Sequence, residues 1–114
     1  MKHHKGCPVQ ATVRLLAGKW KVQIFWHLSF GRLRFAQLRK KLPGISEKVL
    51  TEHLRQLERD RVIERHVSLS VPPAVSYSLN AEGEKLVPLM EALCDWGSVH
   101  FQLKPTLTRR HAAD

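Results

Sequence analysis

The feature that most constrains the fold is an amphipathic segment at residues 44–65, GISEKVLTEHLRQLERDRVIER. Its apolar residues recur at helical spacing and form one narrow stripe, Leu50, Leu54 and Leu57. The opposite face is polar and strongly basic, with Lys48, Thr51, Glu52, Arg55 and Arg59. The stripe predicts a helix that packs on a core, and Ser46 fits its N-cap. What this polar face binds can be inferred only from the elements that surround the helix.

Three shorter helices are predicted before this one. The first begins at Pro8, because a proline costs nothing at the first helical position, and it ends near Gly18. The second, KWKVQIFWHLSFG (19–31), is rich in aromatic residues. The third, RFAQLRKKLPG (34–44), ends before Pro43 because the residue before a proline disfavours helical geometry.

After the amphipathic helix the periodicity changes to two β-prone runs, Val62–Val67 and Val75–Leu79. The tandem prolines 72–73 between them cannot donate ladder hydrogen bonds, which indicates a loop or a strand edge. The runs therefore predict a hairpin with an extended tip. Asn80 then fits the cap of a fifth helix, AEGEKLVPLMEALCDWGSVHF (81–101).

A short helix, a turn, a longer helix and a hairpin form the layout of a winged helix-turn-helix. The predicted fold class is mainly α with a small β-hairpin wing (α+β), flanked by N- and C-terminal dimerisation helices. The predicted domain covers residues 7–101. Residues 1–6 are expected to be a flexible N-terminus, and residues 102–114 a partly disordered tail.

The charge balance favours a polyanionic partner. The chain has 19 Lys and Arg against 10 Asp and Glu, a formal net charge of +9. Such an excess is typical of nucleic-acid binding and less often of anionic membranes, although basic solvated surfaces also occur without either role. No signal peptide or membrane-spanning segment is visible, and the two cysteines do not form a disulfide scaffold. We therefore expect a cytoplasmic protein with no membrane partner.

In a winged helix-turn-helix, the second helix of the pair lies in the DNA major groove, which gives the outer face a candidate role. Its cations can contact phosphates or guanine edges, Thr51 can offer a hydroxyl or methyl group, and Glu52 can accept from cytosine. The predicted contacts with double-stranded DNA also include residues of the preceding helix, the N-cap and the wing: Arg34, Lys40, Ser46, Ser68 and Ser70.

Two alternatives to DNA binding remain open at this stage. On a helix considered alone, such a polar face is more often simply solvated, with salt bridges between its own side chains. A winged-helix domain can also serve as a protein–protein interaction module, with its basic face on an acidic partner. The agreement of the short helix, the turn, the wing and the net charge favours DNA.

The chain also resembles the HxlR family of bacterial winged helix-turn-helix regulators, which are relatives of the MarR-type regulators. The matching stretches are CPV (7–9), GKWK (18–21), RFAQLRKKLPGISEKVLTEHLRQLERD (34–60), VPPAVSYSLNAEGEKL (71–86) and LCDWG (93–97). The resemblance implies a homodimer that binds a pseudo-palindromic operator and represses or activates a nearby gene. For many members it also implies an N-terminal cysteine that senses electrophiles or oxidants, and Cys7 stands at that position.

The fifth helix has an apolar stripe too wide for one small domain to cover. We therefore expect the stripe to continue onto a partner subunit, with the first helix beside it. The predicted interface residues are Val9, Val13, Leu89, Leu93, Trp96 and Phe101. The alternative is a stripe that folds back entirely onto its own core.

Cys7 directly precedes Pro8, so it is expected at or next to the N-cap of the first helix. Unpaired backbone N–H groups and the positive end of the helix dipole favour a thiolate there. The alternative is a half-buried cap residue with an ordinary thiol. Cys94 falls in an apolar helical stripe and is predicted to be a packed residue rather than a second sensor.

Metal and enzyme chemistry are not expected. The seven histidines are scattered, and the chain contains no C-x-x-C or H-x₃-H pair, so neither a metal nor a cofactor is predicted. The sequence also has no G-x-S-x-G, phosphate loop or H-E-x-x-H motif.

Overall fold

The computed structural model describes residues 6–105. Residues 1–5 and 106–114 lie outside the described range, and with them most of the predicted flexible N-terminus and disordered tail. Within residues 6–105 the chain forms α1 (Pro8–Leu16), α2 (Lys21–Leu28), β1 (Leu33–Arg34), α3 (Phe35–Lys40), α4 (Glu47–Arg59), β2 (Ile63–Ser68), β3 (Ala74–Leu79) and α5 (Ala81–His100). The mainly helical fold with a small antiparallel sheet confirms the predicted fold class.

The helix ends differ from the predicted ones by a few residues. The first helix stops at Leu16 because Ala17 is already extended, with ψ 147°. Gly18 follows with φ +103°, a conformation that suits glycine. The second helix begins at Lys21 and ends at Leu28, well inside the predicted range 19–31. The fifth helix ends at His100, so Phe101 is its C-cap residue rather than part of it.

The sheet contains a short strand that the sequence did not predict. β1 has only two residues, and it pairs antiparallel with β3 through Leu33↔Tyr77 and Arg34↔Ser76. β2 pairs with the other edge of β3, from Ile63↔Leu79 to Ser68↔Ala74, so the strand order is β1-β3-β2. A two-residue strand is too short to show an alternating pattern, which is why β1 was missed.

The core lies where α2, α3 and α4 pack together with the sheet. Leu50, Leu54 and Leu57 are each at most 1% exposed, which confirms the predicted apolar stripe of α4. Phe25 and Leu38 are fully buried in the same cluster. Burying one side of α4 in this way leaves its polar side outside.

The N-termini of the two longest helices, α4 and α5, are each capped by a side chain, as predicted. Ser46 Oγ accepts from Val49 N at 3.1 Å at the start of α4. Asn80 Oδ1 accepts from Gly83 N at 2.8 Å at the start of α5. Val87 and Met90 anchor the first half of α5 in the core. None of the helices in residues 6–105 is long and apolar enough to cross a membrane.

Candidate nucleic-acid interface

The outer face of α4 is available for a partner. The side chains of Lys48, Glu52, Arg55 and Arg59 are exposed, and Thr51 is half-buried. Ser46 lies at the N-cap, where its Oγ is already an acceptor. Because the opposite side of α4 is held by core leucines, the position of this face relative to the rest of the domain is fixed.

Beside α4 lies an open groove of about 850 Å³ between α3, α4 and the sheet. Three arginines from three different elements line it: Arg34 in β1, directly before α3, Arg55 in α4 and Arg65 in β2. Thr51 lines it too, so the fold brings together three of the predicted DNA contacts. Phe35 and Tyr77 form apolar parts of its wall.

Arg65 is a candidate that sequence reasoning missed. It pairs directly with Tyr77 across the hairpin and therefore lies on the same face of the sheet. It also follows the buried Ile63 by two residues, so it continues the inward-facing series of β2. A charged residue at an inward-facing position of a strand is a signal that the sequence contains. Only the strand register shows that the Arg65 side chain lies on the face of the groove.

The groove carries more unpaired positive than negative charge. Within residues 6–105, no carboxylate oxygen lies within 4.0 Å of a charged nitrogen of Arg34, Arg55 or Arg65. Two glutamates also line the groove, but Glu47 is drawn towards Arg39 at 3.8 Å. Three guanidinium groups around one concavity favour an anion.

The remaining predicted contacts lie outside the groove lining. Lys40 is exposed at the last residue of α3, and Lys48 and Arg59 are exposed on α4. In the wing, the Ser68 hydroxyl donates to Ser70 Oγ at 3.0 Å, and the Ser70 hydroxyl donates to Pro72 O at 3.0 Å. These two serines therefore order the wing tip.

A second surface runs along α1 and α5 and is apolar. The two helices border a groove of about 650 Å³, lined among others by Val9, Val13, Leu89 and Leu93. Val13 is 62% exposed and Leu93 is 60% exposed, so the chain's own core does not cover them. Trp96 and Phe101 extend this exposed surface towards the end of α5, where the Trp96 ring stacks on His100 with centroids 4.5 Å apart.

One cysteine stands at the start of α1, and the other lines this apolar surface. Cys7 is exposed and is the N-cap residue of α1, the predicted position, and its side chain makes no cap hydrogen bond. Cys94 is half-buried on α5 and lines the apolar groove, as does Pro8. Among residues 6–105, no three His, Cys, Asp or Glu side chains are grouped closely enough to hold a metal ion.

Residues 15–105 match the HxlR-like helix-turn-helix family. The chain belongs to this family. Over 93 residues it is 46% identical to YdeP, an HTH-type transcriptional regulator of Bacillus subtilis (strain 168), covering 82% of this chain and 73% of that protein. The HxlR-family chain is therefore a helix-turn-helix transcriptional regulator, and its relatives are regulators rather than enzymes.

Solved structures give the same family context. The fold is similar to the redox regulator HypR in its reduced form, with a TM-score of 0.78, 39% identity, and coverage of 82% of this chain and 92% of that one. It is also similar to the reduced form of the transcriptional regulator YodB from B. subtilis, with a TM-score of 0.75, 31% identity, and coverage of 82% of this chain and 92% of that one.

Proposed function

We propose that this HxlR-family protein binds double-stranded DNA as a cytoplasmic homodimer and regulates transcription from a pseudo-palindromic operator. The observation that carries the proposal is the amphipathic character of α4. Its leucines are buried against the core, while its outer face and the adjoining groove present cations. A rigidly mounted basic helix of this kind fits the DNA major groove.

The contacts divide by their chemistry. Arg55 and Thr51 face outward along the middle of α4, where base edges would lie, and Glu52 and Arg59 flank them. Arg34 and Lys40, at the two ends of α3, are placed for phosphates because the first helix of such a pair crosses the DNA backbone. Ser46 and Lys48, at the start of α4, are assigned to the same backbone. The wing residues Ser68 and Ser70 approach the minor groove.

Assembly as a homodimer is supported by the apolar surface of α1 and α5. Six side chains of that surface are exposed, namely Val9, Val13, Leu89, Leu93, Trp96 and Phe101. A contiguous apolar surface of this kind on a small domain marks an interaction site. Two-fold pairing through it would place the two α4 helices about 34–36 Å apart, one turn of DNA.

Regulation is assigned to the thiol of Cys7. An exposed thiol at a helix N-terminus is accessible to electrophiles, and the similar protein HypR is described as a redox regulator. In an addition reaction, the thiolate sulfur forms a bond to an electron-poor carbon of a quinone or aldehyde, the π bond breaks, and the released electron pair takes a proton. With a disulfide reagent, a new S–S bond forms as one thiolate leaves. Either adduct is attached to α1, a helix of the dimer surface.

The test is fluorescence anisotropy with a labelled duplex of about 30 bp from the region upstream of the protein's own gene, long enough for two half-sites. If the dimer neutralises about 6–10 phosphates, affinity should fall about 10³- to 10⁵-fold between about 50 and 200 mM salt. Arg55→Ala should cost about 1–3 kcal/mol of binding free energy if it pairs with a guanine.

Lys85→Ala is the matched control, because Lys85 is a cation on α5 that pairs with Glu82 at 3.1 Å, away from the α4 groove. It should bind like the wild type. A response to salt that stays flat, or an Arg55→Ala affinity equal to that of the control, would contradict DNA binding and favour a protein–protein interaction module.

A further inference from the structure

An unpaired carboxylate lies among the three arginines of the groove beside α4. Glu58 lines this groove together with Arg34, Arg55 and Arg65, and it is half-buried. Within residues 6–105, no nitrogen of a lysine, arginine or histidine lies within 4.0 Å of its carboxylate oxygens. A phosphate that enters the groove therefore meets a like charge as well as three cations.

The second carboxylate of the groove, on Glu47, is accounted for by an ion pair. Its Oε2 lies 3.8 Å from Nη1 of Arg39, which does not line the groove. The described part of the chain offers Glu58 no such cation. If the groove served only to attract a polyanion, this unpaired carboxylate would weaken the attraction, because like charges set against each other across an interface are costly. Glu58 therefore calls for a role other than affinity.

Glu58 and Arg55 are neighbours on one stripe of α4. Residues three positions apart on a helix have Cβ atoms about 5–6 Å apart, so their side chains can meet. Thr51, one turn before Arg55, lines the groove with them, which shows that this stripe faces the sheet. Arg55 and Glu58 are not joined by an ion pair within 4.0 Å. The carboxylate is therefore near the Arg55 guanidinium and is available to accept from it.

We infer that Glu58 is a positioning residue for base readout by Arg55: in the operator complex, its carboxylate accepts from one edge of the Arg55 guanidinium while another edge donates to O6 and N7 of a guanine. A guanidinium has five N–H donors in a planar fork, enough for both partners at once. Held in this way, its plane is fixed for the guanine. This inference rests on the proposed DNA binding and deepens it by naming the residue that makes Arg55 selective.

The same carboxylate acts against DNA of other sequences. Non-specific binding depends almost entirely on phosphate contacts, so a negative charge in a groove that faces phosphates weakens it. At the operator, the bidentate pair between Arg55 and guanine offsets that loss, and on another sequence nothing does. Specificity is a difference between two affinities, so an unfavourable contact with the wrong sequence increases it as much as a favourable contact with the right one.

Fluorescence anisotropy with two duplexes of equal length and composition tests this role. One is the duplex from upstream of the protein's own gene, and the other has the same bases in shuffled order. Glu58→Gln should bind the shuffled duplex about tenfold more tightly, and the ratio of operator affinity to shuffled affinity should fall about tenfold or more. Because Arg55 is released to a phosphate in each subunit, the slope of log affinity against log salt on the operator should steepen by about 1.8 for a dimer.

A double-mutant cycle separates positioning from a general effect of charge. Without the Arg55 guanidinium there is nothing to release, so Arg55→Ala/Glu58→Gln should have the same affinity ratio as Arg55→Ala alone. Glu64→Gln is the charge control, because Glu64 is exposed on β2, does not line the groove and carries the same charge. This control should keep the wild-type ratio.

A second variant keeps the test independent of folding. Circular dichroism melting curves show whether each variant folds. Glu58→Asp leaves the net charge unchanged but shortens the side chain by one methylene, so it should also lower the affinity ratio. If Glu58→Gln does not fold, the cycle with Arg55→Ala is measured with Glu58→Asp instead.

The outcomes separate this inference from the proposed function. A wild type that binds neither duplex, or binds both equally, overturns sequence-specific DNA binding and the role of Glu58 together. A wild type that prefers the operator, while the Glu58 variants keep that preference, overturns the positioning role alone. The positioning role is also overturned if Glu58→Gln lowers the ratio equally with and without Arg55, or if Glu64→Gln lowers it as much.

Discussion

The side-chain amide of Asn80 ties the start of α5 to the end of α4. Its Nδ2 donates to Arg61 O at 2.7 Å, and its Oδ1 accepts from Gly83 N at 2.8 Å. Arg61 has φ +62°, a left-handed conformation that is unusual for a side chain of this size. One residue therefore caps α5 and satisfies the strained turn that follows the basic helix.

Asn80→Ala should lower the free energy of unfolding by about 0.5–2 kcal/mol, the usual cost of a lost N-cap. Asn80→Asp should cost less, because a carboxylate keeps the acceptor for Gly83 N and is favoured at a helix N-terminus, although it loses the donor to Arg61 O. Urea unfolding followed by circular dichroism measures both. Equal stability of the alanine and aspartate variants would show that the cap acceptor contributes nothing.

Gly83 in the first turn of α5 is required by close packing. A Cβ at this position would collide with the carbonyl oxygen of Val62, which is backbone and cannot move aside as a side chain can. Gly83→Ala should therefore destabilise the protein by about 1–3 kcal/mol, the range for overpacking. Gly97→Ala is the matched control, since its Cβ would meet only the Phe101 ring at 4.0 Å. If both variants unfold at the wild-type denaturant concentration, the close contact has no energetic weight.

The proposed dimer surface can be tested by substitution of Leu93. Leu93→Glu places a carboxylate in the apolar groove between α1 and α5, where a partner subunit would have to desolvate it. Sedimentation velocity at micromolar concentration should show a dimer for the wild type and a monomer or insoluble protein for the variant. Leu69→Glu is the control, because Leu69 is even more exposed but lies on the wing. A monomeric wild type would contradict the proposed interface.

Much of this architecture could be read from the sequence, because its strongest signals are local. The leucine spacing of α4 and the caps Ser46 and Asn80 depend on neighbours within a few residues, and all three are confirmed. The tandem prolines likewise lie in the loop between β2 and β3, as predicted.

What the sequence did not predict depends on pairing between distant residues. β1 exists only because Leu33 meets Tyr77, 44 positions along the chain. The placement of Arg65 beside Arg34 and Arg55 follows from the strand register and from the packing of the sheet near α4. No local pattern contains that information, which is why the arginine groove was only partly anticipated.

His53 makes stability depend on pH. Burial lowers the pKa of His53 below its ordinary value of 6.5, and the nearby Lys21 lowers it further, against smaller opposing effects of Glu52 and Gln56. Its Nδ1 is buried without a hydrogen-bond partner in residues 6–105. The folded state therefore binds a proton on this imidazole less readily than the unfolded chain does, whose histidine takes up a proton around its ordinary pKa of 6.5.

The stability that depends on a neutral His53 is complete above pH 6.5 and is lost as the pH falls from 6.5 towards the lowered folded-state pKa. His53→Gln should therefore flatten the decline in unfolding free energy below pH 6.5. Part of the decline should persist, because burial and Lys41 also lower the pKa of His27. His100→Gln, on the exposed end of α5, serves as the control. An equally steep decline in His53→Gln and the wild type would contradict this role.

Cys7 tests the proposed regulation. Its side chain is exposed at the start of α1, and the residue after it, Pro8, lines the apolar groove against α5. An adduct on the sulfur would press on α1 and shift one α4 helix relative to its two-fold partner, so that both could no longer fit grooves one turn apart. We expect a quinone to reduce operator binding by the wild type and not by Cys7→Ser, with the adduct located on Cys7 by mass spectrometry. Cys94→Ser is the control and should respond like the wild type, because Cys94 is half-buried. Loss of binding that persists in Cys7→Ser, or a wild type that keeps its affinity after full labelling of Cys7, would remove this residue as the sensor.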